Sequence, residues 1–349
     1  MEFNRILVIK LSSLGDVIHS LPFLAALRQK YPRARIVWAA HPAFSHLIPG
    51  PPWVDEVIEF PRPSLKRPFR SLADLIRLRR KLLAENFDLS IDLQGLFKSA
   101  LVAALSGSRT RLGTAFMREG SSLISRRIRG ANADGHAVER SLDVARFLGA
   151  EVAKVEYPFP DLSEFERSVN AKLSADNNLT RSPYIVFAPG ARWSTKLWPA
   201  THFAELATRF LNDGWRVILA GAPSDREITK QIVDAVPRDV ADGRLIDFVG
   251  RTSLQELAAL IKNSSLFVSG DTGPLHIAAA LQVPIVAMFG PTRPDRTGPY
   301  GNERALVLTT PLKCGGCLKK SCDSFRCLHS ITPEHVYNAS LQALKDANR

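Results

Sequence analysis

Short strand-like runs and longer helical stretches alternate along this chain. In the first half the runs are RILVIK (5–10), RIVWAA (35–40), VDEVIEF (54–60) and FDLSIDL (87–93). Between them apolar residues recur at helical spacing, predicting helices from about Asp16 to Lys30, from about Leu72 to Asn86 and, later, from about His136 to Gly149. Strands separated by helices at this spacing read as a parallel sheet covered on both faces. A polar, proline-containing stretch, Tyr157-Pro158-Phe159-Pro160-Asp161, then breaks the pattern, and the alternation starts again. YIVFAP, WRVILAG, LIDFVG, LFVSG and VPIVAMFG are the second set of strands, with helices over Ala200–Asn212, after Pro223 and over Ser253–Lys262. The expected fold class is therefore α/β, with two Rossmann-like doubly wound domains facing a central cleft. The expected limits are 1–160 and 161–331. A C-terminal helix over 332–349, capped by Thr332 with Pro333 and Glu334 in its first turn, is expected to pack back on the first domain.

Composition narrows the function classes. At 349 residues, 45% hydrophobic and 23% charged, this is the make-up of a globular protein, and no apolar run approaches the roughly 18 to 20 residues of a spanning helix. No signal-peptide pattern precedes the first strand, so a cytoplasmic location is expected. The net charge of +12, from 46 Lys and Arg against 34 Asp and Glu, favours an anionic partner or membrane surface. The excess is concentrated in two stretches, Arg62 to Lys81 and Arg109 to Arg129, expected to contain a docking surface unless they are simply solvated faces. Nucleic acid is not expected, because no nucleic-acid motif or aromatic platform accompanies the charge. Nothing looks specialised for self-association, so a monomer is expected.

Candidate chemistry sits where strands end. After the first strand, a nucleotide-binding turn would be glycine-rich, yet KLSSLGDVIHSLP (10–22) puts Asp16 there with Ser12 and Ser13. Asp16 is either a helix cap or a general base, and a helix N-terminus would favour its ionised, proton-accepting form. IDLQGLFKSA (91–100) adds Gln94 and Lys98 beside a turn at Gly95, with Asp92 at the strand end. In the second domain, PGARWSTKLWP offers Ser194, Thr195 and Lys196 to a phosphate. GDTGPLHIAAAL places Asp271, Thr272, Gly273 and His276 where a strand enters a helix, a backbone arrangement suited to an anion. Asp247 ends another strand, either as a turn former or as an acceptor for ribose hydroxyls. The four cysteines, Cys314, Cys317, Cys322 and Cys327, cluster in KCGGCLKKSCDSFRC as a possible structural zinc site, redox-labile thiols or free thiols.

Together KLSSLGDVIHSLP, IDLQGLFKSA, HAVER, KLWP and GDTGPLHIAAAL with VPIVAMFGPT resemble the bacterial ADP-heptose:lipopolysaccharide heptosyltransferases of glycosyltransferase family 9, in order and over nearly the whole chain. The first-domain segments look most like the heptosyltransferase I branch. The resemblance implies a GT-B fold and an inverting, metal-independent transfer of L-glycero-D-manno-heptose from ADP-L-glycero-β-D-manno-heptose to the Kdo of lipopolysaccharide, with no cofactor required. It implies a peripheral enzyme on the inner face of the inner membrane, with Kdo-lipid A as acceptor. By motif position it makes Asp16 the base and puts Lys196 at the donor phosphates. It assigns Asp271, Thr272 and Gly273 to heptose and diphosphate and Asp247 to the adenosine ribose, with Lys98 and Arg118 on the acceptor side. The cysteine segment has no counterpart in the best-known members. Three rivals are a heptosyltransferase II or related transferase with another acceptor, a non-catalytic lipopolysaccharide or nucleotide-sugar binding protein, and a paired-Rossmann oxidoreductase. The last is disfavoured because neither domain has a GxGxxG after its first strand.

Overall fold

The computed structural model describes residues 2–60, 68–177 and 183–347. Arg62, Lys66 and Arg67 of the first basic stretch lie outside them, as does the side chain of Arg70. The chain divides into two compact units, Met1–Asp161 and Leu162–Arg349.

Each unit is built on one parallel sheet, and among the described residues each sheet has six strands. In the first they are β1 (Arg5–Ile9), β2 (Arg35–Ala40), β3 (Glu56–Glu59), β4 (Leu89–Asp92), β5 (Thr110–Gly113) and β6 (Arg126–Arg127), ordered β3-β2-β1-β4-β5-β6. In the second they are β7 (Tyr184–Ala188), β8 (Arg216–Leu219), β9 (Leu245–Asp247), β10 (Leu266–Gly270), β11 (Ile285–Phe289) and β12 (Ala305–Thr309), ordered β12-β11-β10-β7-β8-β9. In both sheets the strand order reverses once, at β1/β4 and at β7/β10. At such a point the connections leave to opposite sides and a crevice opens beyond the strand ends.

The central strands read as apolar runs because both of their faces are covered. Ile6 to Ile9 and Tyr184 to Ala188 are buried throughout. The registers Ile9↔Asp92 and Ser269↔Ala188 bring the neighbouring strand ends level. Three strands absent from the sequence reading, β5, β6 and β12, lie at or next to a sheet edge. Their half-exposed residues, TRLG, RR and ALVLT, carry no buried-strand pattern.

Three expectations about elements are corrected. The helix expected from Asp16 to Lys30 is two helices, Leu14–Ile18 and Leu21–Lys30. Pro22 supplies no N–H, so it sits in the first turn of a new helix rather than inside a continuous one. Asp16 accordingly stands in the third position of a short helix and does not open it. An additional helix, Ser163–Asn177, follows the domain boundary. The C-terminal helix, Pro333–Ala347, packs on the second unit: its Val336 and Ala343 are buried in one cluster with Phe203, Phe210 and Met288.

That cluster is pinned by Trp198, which is fully buried and donates from Nε1 to the Ile331 carbonyl at 2.8 Å. The Phe203 ring stands edge-on to it at 4.7 Å. Phe210 is equally buried, against Phe187 and Tyr337. Phe210→Ala is therefore expected to destabilise the second unit by about 3–5 kcal/mol in urea unfolding. Val233→Ala, on an exposed helix face, should stay within roughly 1 kcal/mol.

Candidate active site

At the first switch point, Asp16 lies just beyond β1. Its Oδ2 accepts from the Ser13 backbone N–H at 2.9 Å and from the Ser13 hydroxyl at 2.7 Å. Its Oδ1 faces the Lys10 ammonium at 3.9 Å. Lys10 is nearly buried and donates to the Leu93 carbonyl at 2.9 Å. Burial pushes the Lys10 pKa down, opposed by the charges of Asp16 and Asp92 and reinforced by Arg140 and Lys98. The carboxylate is thus fixed in direction while remaining 45% exposed, the combination a proton acceptor needs.

The loop after β4 completes this side. Asp92 is fully buried and accepts from the Gln94 N–H, the Gly95 N–H and the Ser99 hydroxyl at 2.9, 2.9 and 3.0 Å. Burial raises its pKa, against which those hydrogen bonds act. Gly95 has φ +69°, and a Cβ there would collide with the Phe116 carbonyl, so the turn requires glycine. The turn carries Gln94 to Ser12, whose N–H donates to Gln94 Oε1 at 3.0 Å. Lys98 Nζ donates to the Ser12 hydroxyl at 3.2 Å. Ser13 with Asp16, and Ser12 with Gln94 and Lys98, are therefore two hydrogen-bonded groups carried side by side by the adjacent residues Ser12 and Ser13.

A cavity of about 190 Å³ opens beside it, lined by Asp16, Gln94 and Arg118 together with Lys10, Phe116 and Arg140. Arg118 lies over the exposed Phe116 ring at 3.9 Å and Arg140 lies over it at 5.1 Å. Lys10, Phe116 and Arg140 are additions to the expected set. A lysine closing an otherwise apolar strand was a usable signal for Lys10, and Arg140 ends the quoted HAVER.

At the second switch point, the loop after β7 and the loop after β10 meet. Lys196 Nζ sits 2.7 Å from Asp271 Oδ2 and also donates to the Asp271 carbonyl at 3.3 Å. His276 Nε2 stands 3.7 Å from Asp271 Oδ1. Burial alone would raise the Asp271 pKa, but the His276 hydrogen bond and the Lys196 charge outweigh it and bring it down to about 2. A Cβ at Gly270 would lie 3.0 Å from the Lys196 carbonyl, so the two loops pack backbone to backbone. Thr272 precedes the helix Gly273–Ala280, and its buried Oγ1 has no hydrogen-bond partner among the described residues. Trp193 is a further member: Lys196 and Lys320 place their ammonium groups 4.6 and 5.2 Å from its ring centre. Asp271 acts here as the anchor of Lys196 and His276, leaving the ammonium's third proton for an anion.

The other expected residues are placed differently. Ser194 is exposed, and the Thr195 hydroxyl donates to the Lys319 carbonyl at 2.9 Å rather than standing open to a phosphate. Asp247 Oδ1 accepts from the Val249 N–H at 2.9 Å, a turn-forming contact at the end of edge strand β9. The zinc expectation is corrected. Cys314, Cys317 and Cys322 are exposed free thiols, Cys327 is a half-buried one, and no three His, Cys, Asp or Glu among the described residues converge to hold a metal. The segment is instead secured by its backbone, Gly316 N–H to the Gly290 carbonyl at 2.9 Å and Leu318 N–H to the Pro291 carbonyl at 2.7 Å.

Comparison with known proteins bears on this arrangement. The family described as glycosyltransferase family 9 (heptosyltransferase) matches residues 75–328. The chain is 34% identical over 326 residues to lipopolysaccharide heptosyltransferase 1 of Pseudomonas aeruginosa, covering 91% of this chain and 87% of that one. It is 31% identical over 312 residues to lipopolysaccharide heptosyltransferase 2 of Salmonella typhimurium, covering 87% of each. The solved structure of E. coli heptosyltransferase WaaC with ADP superposes with a TM-score of 0.74 at 27% identity, over 97% of this chain and 99% of that one.

The Asp271 shift has a stability consequence. Its carboxyl titrates at about 2 when folded against the usual 3.8, so the unfolded chain binds the proton first on acidification. The contribution, roughly 2 kcal/mol, is complete above pH 4 and lost as pH falls through about 2. Asp271→Asn is expected to remove that component, giving a stability profile measurably flatter than wild type between pH 4 and 2 in urea titrations.

Proposed function

Because the chain belongs to glycosyltransferase family 9, the heptosyltransferases, we propose that it transfers L-glycero-D-manno-heptose from ADP-heptose to a Kdo residue of the lipopolysaccharide inner core. The observation that carries the reading is the cavity at the first switch point, where one oriented carboxylate, Asp16, stands among Lys10, Arg118 and Arg140. An acceptor that is itself a carboxylate sugar fits such a surround.

In this reading the acceptor hydroxyl loses its proton to Asp16 as its oxygen attacks the anomeric carbon, and ADP departs from the opposite face with inversion. Ser13 and Lys10 hold Asp16 in direction, and Arg118, Arg140 and Lys98 orient the acceptor's acid groups. In the second unit Lys196, fixed by Asp271, and the N–H groups from Thr272 onward take up the charge developing on the diphosphate. The unpartnered Thr272 hydroxyl is assigned to the donor, and Asp247, through the oxygen its turn leaves over, to the ribose. Charge compensation by these groups makes the transfer independent of a divalent cation. We further propose that the protein acts as a monomer in the cytoplasm, docked peripherally on the anionic inner membrane through its basic surfaces.

A second reading has its own support, since relatives of the heptosyltransferase 2 type match at nearly the identity of the type 1 relatives. It keeps the donor and the base and replaces Kdo by an already heptosylated acceptor.

Incubation with ADP-heptose and either Kdo2-lipid A or its heptosylated form, followed by product mass, separates the two. The first reading expects one heptose added to Kdo2-lipid A, with full activity in EDTA. Transfer only to the heptosylated acceptor would select the second, and no transfer to either would reject both. Lys196→Ala is expected to weaken the donor complex and slow transfer by about 10²-fold or more.

A further inference from the structure

A second concavity on the first unit lies apart from the candidate active site. A pocket of about 440 Å³ is lined by Phe3, Arg109, Thr110, Arg111, Leu112, Ile124, Arg126, Phe147 and Leu148, and it shares no residue with the cavity at Asp16. It begins at Thr110, the first residue of β5, and at Phe3 before β1, so it lies toward the edge of the sheet opposite the switch-point loops. Its chemistry is divided in two. Three arginines and no acidic residue line it, Arg111 donating from Nε to the Ser108 carbonyl at 3.1 Å, while Phe3, Leu112, Ile124, Phe147 and Leu148 give it an apolar floor.

The pairing Leu112↔Arg126 places that leucine and that arginine on one face of the sheet, so cation and floor are side by side by construction. Arg126 lies 5.2 Å from the centre of the Phe147 ring, and Phe147 is itself 39% exposed. The next strand residue, Arg127, turns away to the Met117 carbonyl at 3.0 Å. Next in the chain to Ile124 of the lining, Leu123 is 91% exposed, the most exposed large apolar side chain among the described residues. An isolated exposed leucine needs no explanation. One that flanks an arginine-lined, apolar-floored pocket on a protein of net charge +12 has the form of a side chain meant for an interface of lipid.

We propose that this pocket takes the phosphate headgroup of an anionic phospholipid, with Arg109, Arg111 and Arg126 around the phosphate, the glycerol and first acyl carbons on the apolar floor, and Leu123 in the bilayer interface. A guanidinium matches phosphate oxygens in a paired, planar way that a lysine patch does not. The assignment deepens the docking part of the proposed function and is independent of which sugar the enzyme transfers. It also separates docking from catalysis, because none of these residues belongs to the transfer site.

The test is co-sedimentation of the full-length protein with vesicles of phosphatidylglycerol and phosphatidylcholine at physiological salt, against vesicles of phosphatidylcholine alone. Arg109→Glu with Arg126→Glu is compared with a control of equal charge change on exposed arginines of the second unit, Arg238→Glu with Arg304→Glu. The expected result is binding only to the phosphatidylglycerol vesicles. The pocket pair should lower it about tenfold or more and the control pair less than about threefold, with Leu123→Ser lowering it without any change of charge. Arg109→Gln with Arg126→Gln, checked for unaltered thermal unfolding, should show the same direction and guards against misfolding of the reversed variant. Equal losses in the pocket and control pairs would overturn the pocket while leaving diffuse docking intact. No binding of wild type to anionic vesicles would overturn docking as well. Calorimetric binding of glycerol 3-phosphate without vesicle binding would replace the lipid by a soluble phosphate. None of these outcomes depends on turnover, so they are separable from failure of the heptosyltransferase reading.

Discussion

In a parallel sheet every strand delivers its C-terminal end to the same edge, and where the strand order reverses the loops of two neighbouring strands diverge and leave a crevice. This protein meets that constraint twice, at β1/β4 and β7/β10, and the groups with chemical potential gather at those points. Ser12 and Asp16 follow β1, while Gln94 and Lys98 follow β4. Lys196 follows β7, and Asp271 with Thr272 follows β10. The folds of the two units, of the GT-B type seen in the solved heptosyltransferases, thus set where the chemistry lies before any single residue is considered.

The two points handle charge in opposite ways. At the second, a buried carboxylate is kept ionised down to about pH 2 by an ammonium and an imidazole, and the ammonium's uncommitted proton is left for a ligand's anion. At the first, the carboxylate is held by a serine at its own helix start and a nearly buried lysine, but it stays accessible. A proton acceptor needs such exposure, whereas an anchor needs to be closed in. The same residue type is therefore set in two different states, separated by burial.

The fold was legible in the sequence wherever strands are buried on both faces, since β1, β2, β7, β10 and β11 have to be apolar along their length. Edge strands escape that requirement, which is why β6 is no more than Arg126-Arg127 and was read as part of a basic stretch. The helix break at Ser20 was legible in Pro22, and the periodic pattern on either side of it masked the signal. Among site residues, those in loops directly after strands were found because position in the chain fixes their place. Phe116 was not, because it follows β5, a strand the sequence did not reveal, and Arg140 was not, because it reaches the cavity from a helix distant in sequence. The cysteine spacing invited a metal, but among the described residues no three ligating side chains converge to hold one, and backbone bonds to Gly290 and Pro291 set that segment's path.

The central claim is that Asp16 takes the acceptor's proton, and its most direct measurement is single-turnover transfer by wild type and Asp16→Asn, with donor affinity measured in parallel. The amide keeps the size of the side chain and can still accept from Ser13, but it cannot take up a proton. The account predicts ADP-heptose binding within about twofold of wild type and a transfer rate lower by roughly 10²–10⁴-fold. Transfer by Asp16→Asn at the wild-type rate would contradict it and reduce Asp16 to a cap on a five-residue helix.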